Sequence, residues 1–128
     1  MLSAKDIETA FREASKERAE AVFVLAGPVF NPQPTLLTQS AVKSRLPAAY
    51  PSSTFVEAGG LMTYAANRAD LDRRAATYVD KILKGGKPGN LPVEQPKKFE
   101  FVINLKAAKE IGLTIPPNVL ARADRVIK

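Results

Sequence analysis

The chain has 128 residues, 45% hydrophobic and 25% charged, with a formal charge of +6, and this is the balance of one globular domain with a core of its own. It has no Cys and no His, which excludes disulfides, thiolate metal sites, a Cys nucleophile and Ser–His–Asp chemistry within these residues. The basic excess invites a nucleic-acid reading, but its distribution argues against one: the seven Lys between Lys81 and Lys109 are broken by Glu94 and Glu100, and acids are interleaved through the N-terminal region. No apolar run approaches the ~20 residues of a membrane span, and the amphipathic N-terminus lacks a secretory h-region and cleavage site, so the chain as written reads as not exported.

Ser3, with Asp6 three residues on, starts a helix. Leu2 and Ile7 are placed for a hydrophobic staple, and Ile7, Ala10, Phe11 and Ala14 line one face of a helix reaching about residue 19. Residues 21–25, AVFVL, are continuously apolar, which predicts a central parallel strand covered on both faces. Two prolines keep NPQP (31–34) irregular. Thr35 is placed to cap a short helix over about 36–45 that Pro47 stops, residues 48–50 make a short strand, and Pro51, Ser52 and Ser53 form its exit loop. Gly59 and Gly60 give freedom for a tight turn or a close approach, and residues 61–64 form another short strand. Asn67 caps the main helix with Asp70 at its third position; Leu71, Ala75, Tyr78, Val79, Ile82 and Leu83 form a stripe expected to be buried, and Gly85 is the left-handed stop. Residues 87–96 are a Pro/Gly-rich connector. FEFVI (99–103) alternates, which predicts a strand nearer an edge. Asn104 caps a helix ended by Gly112, and Pro116–Pro117 opens a last helix running to Ile127.

This helix–strand rhythm belongs to an open, mostly parallel α/β sheet of about four strands flanked by helices, where ligands bind beyond the carboxyl ends of the strands. The strand-end segments carry Tyr50, Ser52, Ser53, Tyr64 and Asn67. Two aromatic rings beside small hydroxyls suit an aromatic or amphipathic small ligand, although both tyrosines can equally close the core. Glu57, beside Gly59 and the close-approach Gly60, could bind a ligand ammonium group or cap a turn. The helix at Asn67 offers free N–H groups to a carboxylate. Asp70 and Asp72 lie in a first helical turn, where they complement the dipole and point to different sides. No phosphate loop, metal cluster or nucleophile–base pair is present in the sequence, so no cofactor is expected.

Three stretches carry a family likeness: FVEAGGLMTYAANRADLDRRAATYVDKILKGGKP; LPVEQPKKFEFVINLKAAKEIGLTIPPNVLARADRVI; and, more loosely, RAEAVFVLAGPVF with SRLPAAYPSSTFVEAGG. In their order and spacing they resemble the C-terminal part of bacterial ABC-transporter solute-binding proteins of the tryptophan/tyrosine type, with the type I periplasmic-binding fold. The resemblance implies a non-enzymatic, two-lobed protein, periplasmic or lipid-anchored, that closes on a small amino-acid-like solute and presents it to a membrane permease. It also implies that the loops carrying Tyr50 to Ser53 and Glu57 to Tyr64 face the cleft. The chain departs from the pattern at Gly27, where relatives usually have an acid, and at Ala65, where they usually have Gly. The first lobe and the export signal have no counterpart in these residues, so the chain would be cytoplasmic if Met1 is the true start. Residues 1–96 are then expected to form the lobe core and 97–128 to pack on the other lobe. Apolar surface left bare is expected to drive homo-oligomerisation. The alternative function is a cytosolic oligomeric interaction or sensing module that kept the fold without transport. An enzyme would need catalytic carboxylates or Lys in a cleft, and no such cluster stands out.

Overall fold

The computed structural model describes residues 3–128. Five strands form one sheet in the order β1-β2-β3-β4-β5: β1 Val22–Phe23, β2 Ala48–Tyr50, β3 Met62–Ala66, β4 Phe99–Asn104 and β5 Arg125–Ile127. β1 pairs parallel with β2 (Val22 with Ala48), β2 with β3 (Tyr50 with Thr63), and β4 with β5 (Val102 with Arg125). β4 runs opposite to β3. The Asn104 N–H donates to the Leu61 carbonyl at 2.8 Å, and three residues along each strand the Tyr64 and Phe101 rings meet at 6.0 Å. The helices are α1 Ala4–Lys16, α2 Pro34–Lys43, α3 Ser53–Glu57, α4 Arg68–Leu83, α5 Leu105–Glu110 and α6 Pro117–Leu120.

The chain divides into two compact units: the residues up to Ala65 with Glu100–Lys128, and Ala66–Phe99. In the first unit the core is built from Ile7 and Phe11 of α1, Val24, Leu37 and Ala41 of α2, and Tyr50 with Phe55. The apolar face of α1 expected from its spacing is buried at Ile7 and Phe11, and the Ser3–Asp6 capping box is formed. The Leu2 half of the expected staple lies outside the described residues. The Thr38 hydroxyl, fully buried, sits 3.0 Å from the Ala58 carbonyl and ties α2 to the end of α3. Asn104 accepts the Ala107 N–H at 3.0 Å as the N-cap of α5 and donates to the Val56 carbonyl at 3.2 Å, so one side chain starts a helix and anchors another.

In the second unit Asn67 caps α4 as expected, its side chain accepting the Asp70 N–H at 2.9 Å, and Gly85 takes the left-handed stop at φ +97°. The connector straps α4: the Tyr78 hydroxyl donates to the Pro92 carbonyl at 2.6 Å, and Arg74 is ion-paired with Glu94.

Four expectations are corrected. β1 is an edge strand, covered on one face only: Val24 is buried, but Phe23 and Leu25 are 68% and 66% exposed. β4 lies inside the sheet, between β3 and β5, with Val102, Ile103 and Asn104 buried. The stripe of α4 is not core, because no residue of that helix is buried and Leu83 is 81% exposed; only the connector packs along it within its own unit. The last helix stops at Leu120, and Arg125–Ile127 become β5 because the Asp124 N–H donates to the Phe101 carbonyl and Asp124 Oδ2 accepts the Phe101 N–H, both at 2.8 Å.

Candidate functional site

Because β1, β2 and β3 are parallel, their carboxyl ends share one edge of the sheet. That edge, in the first unit, carries the loop of residues 24–33, residues 51–53, and Tyr64 with Ala65. Tyr50 is level with Thr63, so the chain leaves β2 through Pro51 and Ser52 where β3 reaches Tyr64, and Ser53 then begins α3. Ser52 precedes α3 in extended conformation without using its side chain as a cap, so its hydroxyl is not committed to the helix. Tyr64 is 65% exposed and its ring meets Phe101 edge-on, an arrangement that fixes the ring while leaving most of it in solvent.

The seven sequence-predicted site residues do not converge. Ser52, Ser53 and Tyr64 lie at the strand-end edge. Tyr50 is a support beneath it: the side chain is 1% exposed and stacked on Phe55 at 5.4 Å with an interplanar angle of 10°. Burial pushes its hydroxyl well above the ordinary tyrosine range, so it remains protonated. Gly60 serves that ring, since a Cβ there would stand 2.7 Å from Tyr50 Cε2. Glu57 ends α3, on the side where β3 begins, and its Oε1 accepts from Arg125 Nη2 at 2.7 Å. Asn67 belongs to the second unit, where it caps α4. Sequence reasoning missed two partners, Arg125 of Glu57 and Phe101 of Tyr64. Arg125 stands 68 residues from Glu57, with no local signal. Phe101 had one: alternation in FEFVIN puts it on the same face as Phe99 and Ile103.

The loop after β1 organises itself. Asn31 and Phe30 N–H groups donate to the Gly27 carbonyl at 3.0 and 3.2 Å, Asn31 Oδ1 lies 3.5 Å from the Gly27 N–H, and Gln33 Nε2 donates to the Val29 carbonyl at 3.3 Å. Beneath it lies an apolar hollow of about 240 Å³ lined by Phe11, Val24, Leu25, Phe30 and Leu37. This is below the ~300–1,000 Å³ of a complete small-molecule site, so by itself it accommodates a ring, not a whole ligand. Among the described residues no group of three or more carboxylates is placed to hold a metal, and no helix is long and apolar enough to cross a membrane.

A profile of the family described as "ABC transporter substrate binding protein" matches residues 1–127. Among solved structures, a conserved domain protein from Vibrio cholerae superposes with a TM-score of 0.86 at 28% identity, over 98% of this chain and 42% of that one. An ABC domain from Streptococcus pneumoniae, in complex with L-Trp, gives 0.84 at 29% identity with the same coverages, 98% and 42%. A ligand-free, open substrate binding protein with adhesive properties from Clostridium difficile gives 0.70 at 17% identity, over 100% of this chain and 42% of that one, and shows the shared fold. The chain thus spans less than half the length of these relatives. No curated protein sequence matches it.

Proposed function

Because the chain belongs to the ABC transporter substrate binding protein family, we propose that it supplies the ligand-gripping lobe of a solute-binding component of an ABC uptake system. The solute is small, amino-acid-like and aromatic, and the loaded form is offered to a permease at the membrane. The observation that carries this reading is the shared carboxyl edge of β1–β3, which bears the exposed Tyr64 ring at the end of β3 and Ser52 and Ser53 in the segment that follows β2. Ligands of open α/β sheets bind at that edge, and a ring and two hydroxyls along one edge match an aromatic solute with one polar end. The L-Trp complex of the Streptococcus relative supports the aromatic choice. Proteins of this family bind their solute and do not transform it. Residues 97–128 are proposed to be the segment that packs on a second lobe, as the resemblance to the family implies.

Differential scanning fluorimetry with a panel of amino acids tests the reading. It predicts a rise in melting temperature with tryptophan or another aromatic member and none with aspartate or lysine, because only a ligand of the folded state stabilises it. A flat response to every aromatic solute refutes it.

A second reading, an oligomeric interaction module, draws on the exposed Phe23 and Leu25 of the edge strand. Light scattering separates the two readings. A stable dimer indifferent to every solute favours the module, whereas a species that gains thermal stability with ligand favours the binding protein.

A further inference from the structure

Asn104, the last residue of β4, joins three elements of the first unit. Its backbone N–H donates to the Leu61 carbonyl at 2.8 Å, which fixes it to the start of the strand that carries Tyr64. Its side-chain Oδ1 accepts the Ala107 N–H at 3.0 Å, and its Nδ2 donates to the Val56 carbonyl of α3 at 3.2 Å. The residue is buried. A carbonyl only accepts and an N–H only donates, so this position needs one acceptor and one donor on a short side chain, and a carboxamide supplies both. Capping α5 needs the acceptor alone, which Ser or Asp provides equally well. The donor half serves α3.

α3 spans five residues, too few to hold a helix in place by its own hydrogen bonds. Its position comes from ties to other elements, all at its carboxyl half. Phe55 stacks on Tyr50 at 5.4 Å, Asn104 holds the Val56 carbonyl, Arg125 meets Glu57 at 2.7 Å, and the Thr38 hydroxyl lies 3.0 Å from the Ala58 carbonyl. At the other end Ser52 does not spend its side chain as a cap. Val56 is about one helical turn beyond Ser52 and Ser53, and Leu61 is three residues before Tyr64. Resting on the solute-binding reading above, we infer that Asn104 is a positioning residue of the solute site: its backbone bond to β3 and its side-chain bond to α3 set the separation between the Tyr64 ring and the Ser52 and Ser53 hydroxyls. Asn104 acts through α3. Without the side-chain tie, the hydroxyl end of the site is no longer held ready for the ligand, and binding bears the cost of ordering it.

The test uses the full chain with L-tryptophan. The chain contains no Trp, so in equilibrium dialysis indole emission reports the ligand alone. Asn104→Ser and Asn104→Asp both keep an oxygen for the Ala107 N–H. Serine is too short to reach the Val56 carbonyl, and an ionised aspartate has no proton to donate to it. Each is predicted to weaken tryptophan binding about three- to tenfold, the scale of one hydrogen bond. The decisive arm repeats Asn104→Ser in a chain that also carries Ser52→Ala and Ser53→Ala. If Asn104 acts by placing those hydroxyls, the further loss there stays within about twofold, because the two effects are not additive. A loss through general loosening of the fold would be the same in both backgrounds, and that result overturns the inference. So does a wild-type affinity retained within twofold in both Asn104 variants, or retained when the two serines are replaced. Each of these leaves tryptophan binding by the wild type in place. A wild type that does not bind tryptophan overturns the aromatic solute-binding reading itself, and this inference with it. Far-UV circular dichroism checks that each variant is folded, and Asn104→Asp takes the place of Asn104→Ser in the combined chain if the serine variant is not.

Discussion

Replacing Gly60 with alanine drives a methyl group into space that the Tyr50 ring already fills. The new Cβ would stand 2.7 Å from Tyr50 Cε2, 2.9 Å from Cδ2 and 2.8 Å from the Phe55 carbonyl oxygen. None of these atoms is free to retreat. The ring is stacked on Phe55 and 1% exposed, and the same carbonyl accepts the Gly60 N–H at 2.9 Å. Relief requires a shift of more than half an ångström in a packed core, which costs about 1–3 kcal/mol. Alanine restricts the unfolded chain and returns about 0.4–1 kcal/mol of that, leaving a net loss of about 1–2 kcal/mol. For a chain of this size that is a fall of roughly 4–10 °C in melting temperature. Urea unfolding followed by circular dichroism measures it, with Gly27→Ala as the control in the same unit, where the added Cβ meets nothing closer than 3.8 Å. Equal stability of Gly60→Ala and Gly27→Ala would refute the claim that the glycine exists to admit the ring.

Asn104→Ala removes the N-cap of α5 and the bond to the Val56 carbonyl together, and the expected loss in urea unfolding is about 2 kcal/mol. Arg125→Gln breaks an ion pair whose side chains are both about half exposed, so its stability should stay within about 0.5 kcal/mol of wild type at moderate salt. Tyr50 keeps its proton in the fold beyond the pH at which the unfolded chain releases it. Its contribution is therefore complete below pH ~10 and lost as pH rises above that value. Tyr50→Phe should flatten the alkaline branch of the stability curve, measured by denaturant midpoints across that range; an unchanged branch would exclude Tyr50 as its source.

Much of both units was legible because its signals are local. The Asn104 and Asn67 caps, the Gly85 stop and the α1 face each depend on residues within a few positions, and all were found where the sequence put them. What was missed depends on distant partners. A run such as AVFVL reads the same at the centre of a sheet and at its edge; what stands over Phe23 is not encoded in its neighbours. The α4 stripe has helical period whether or not anything packs on it. β5 exists through two hydrogen bonds between Asp124 and Phe101, 23 residues apart, which outweigh a helical pattern running on from Pro117. α3, only five residues long, shows less than two turns of periodicity. At the site, both tyrosines sat beside strand ends in sequence, yet only the fold could separate Tyr64, facing solvent, from Tyr50, closing the core.

The central claim is that the shared edge of β1–β3 holds an aromatic solute, and isothermal titration calorimetry of the chain with L-tryptophan tests it most directly. The account predicts one saturable isotherm with a negative heat-capacity change, weakened about three- to tenfold by Tyr64→Ala, the scale of one lost ring contact. No saturable heat with tryptophan, tyrosine or phenylalanine, or an affinity indifferent to Tyr64→Ala, would contradict it.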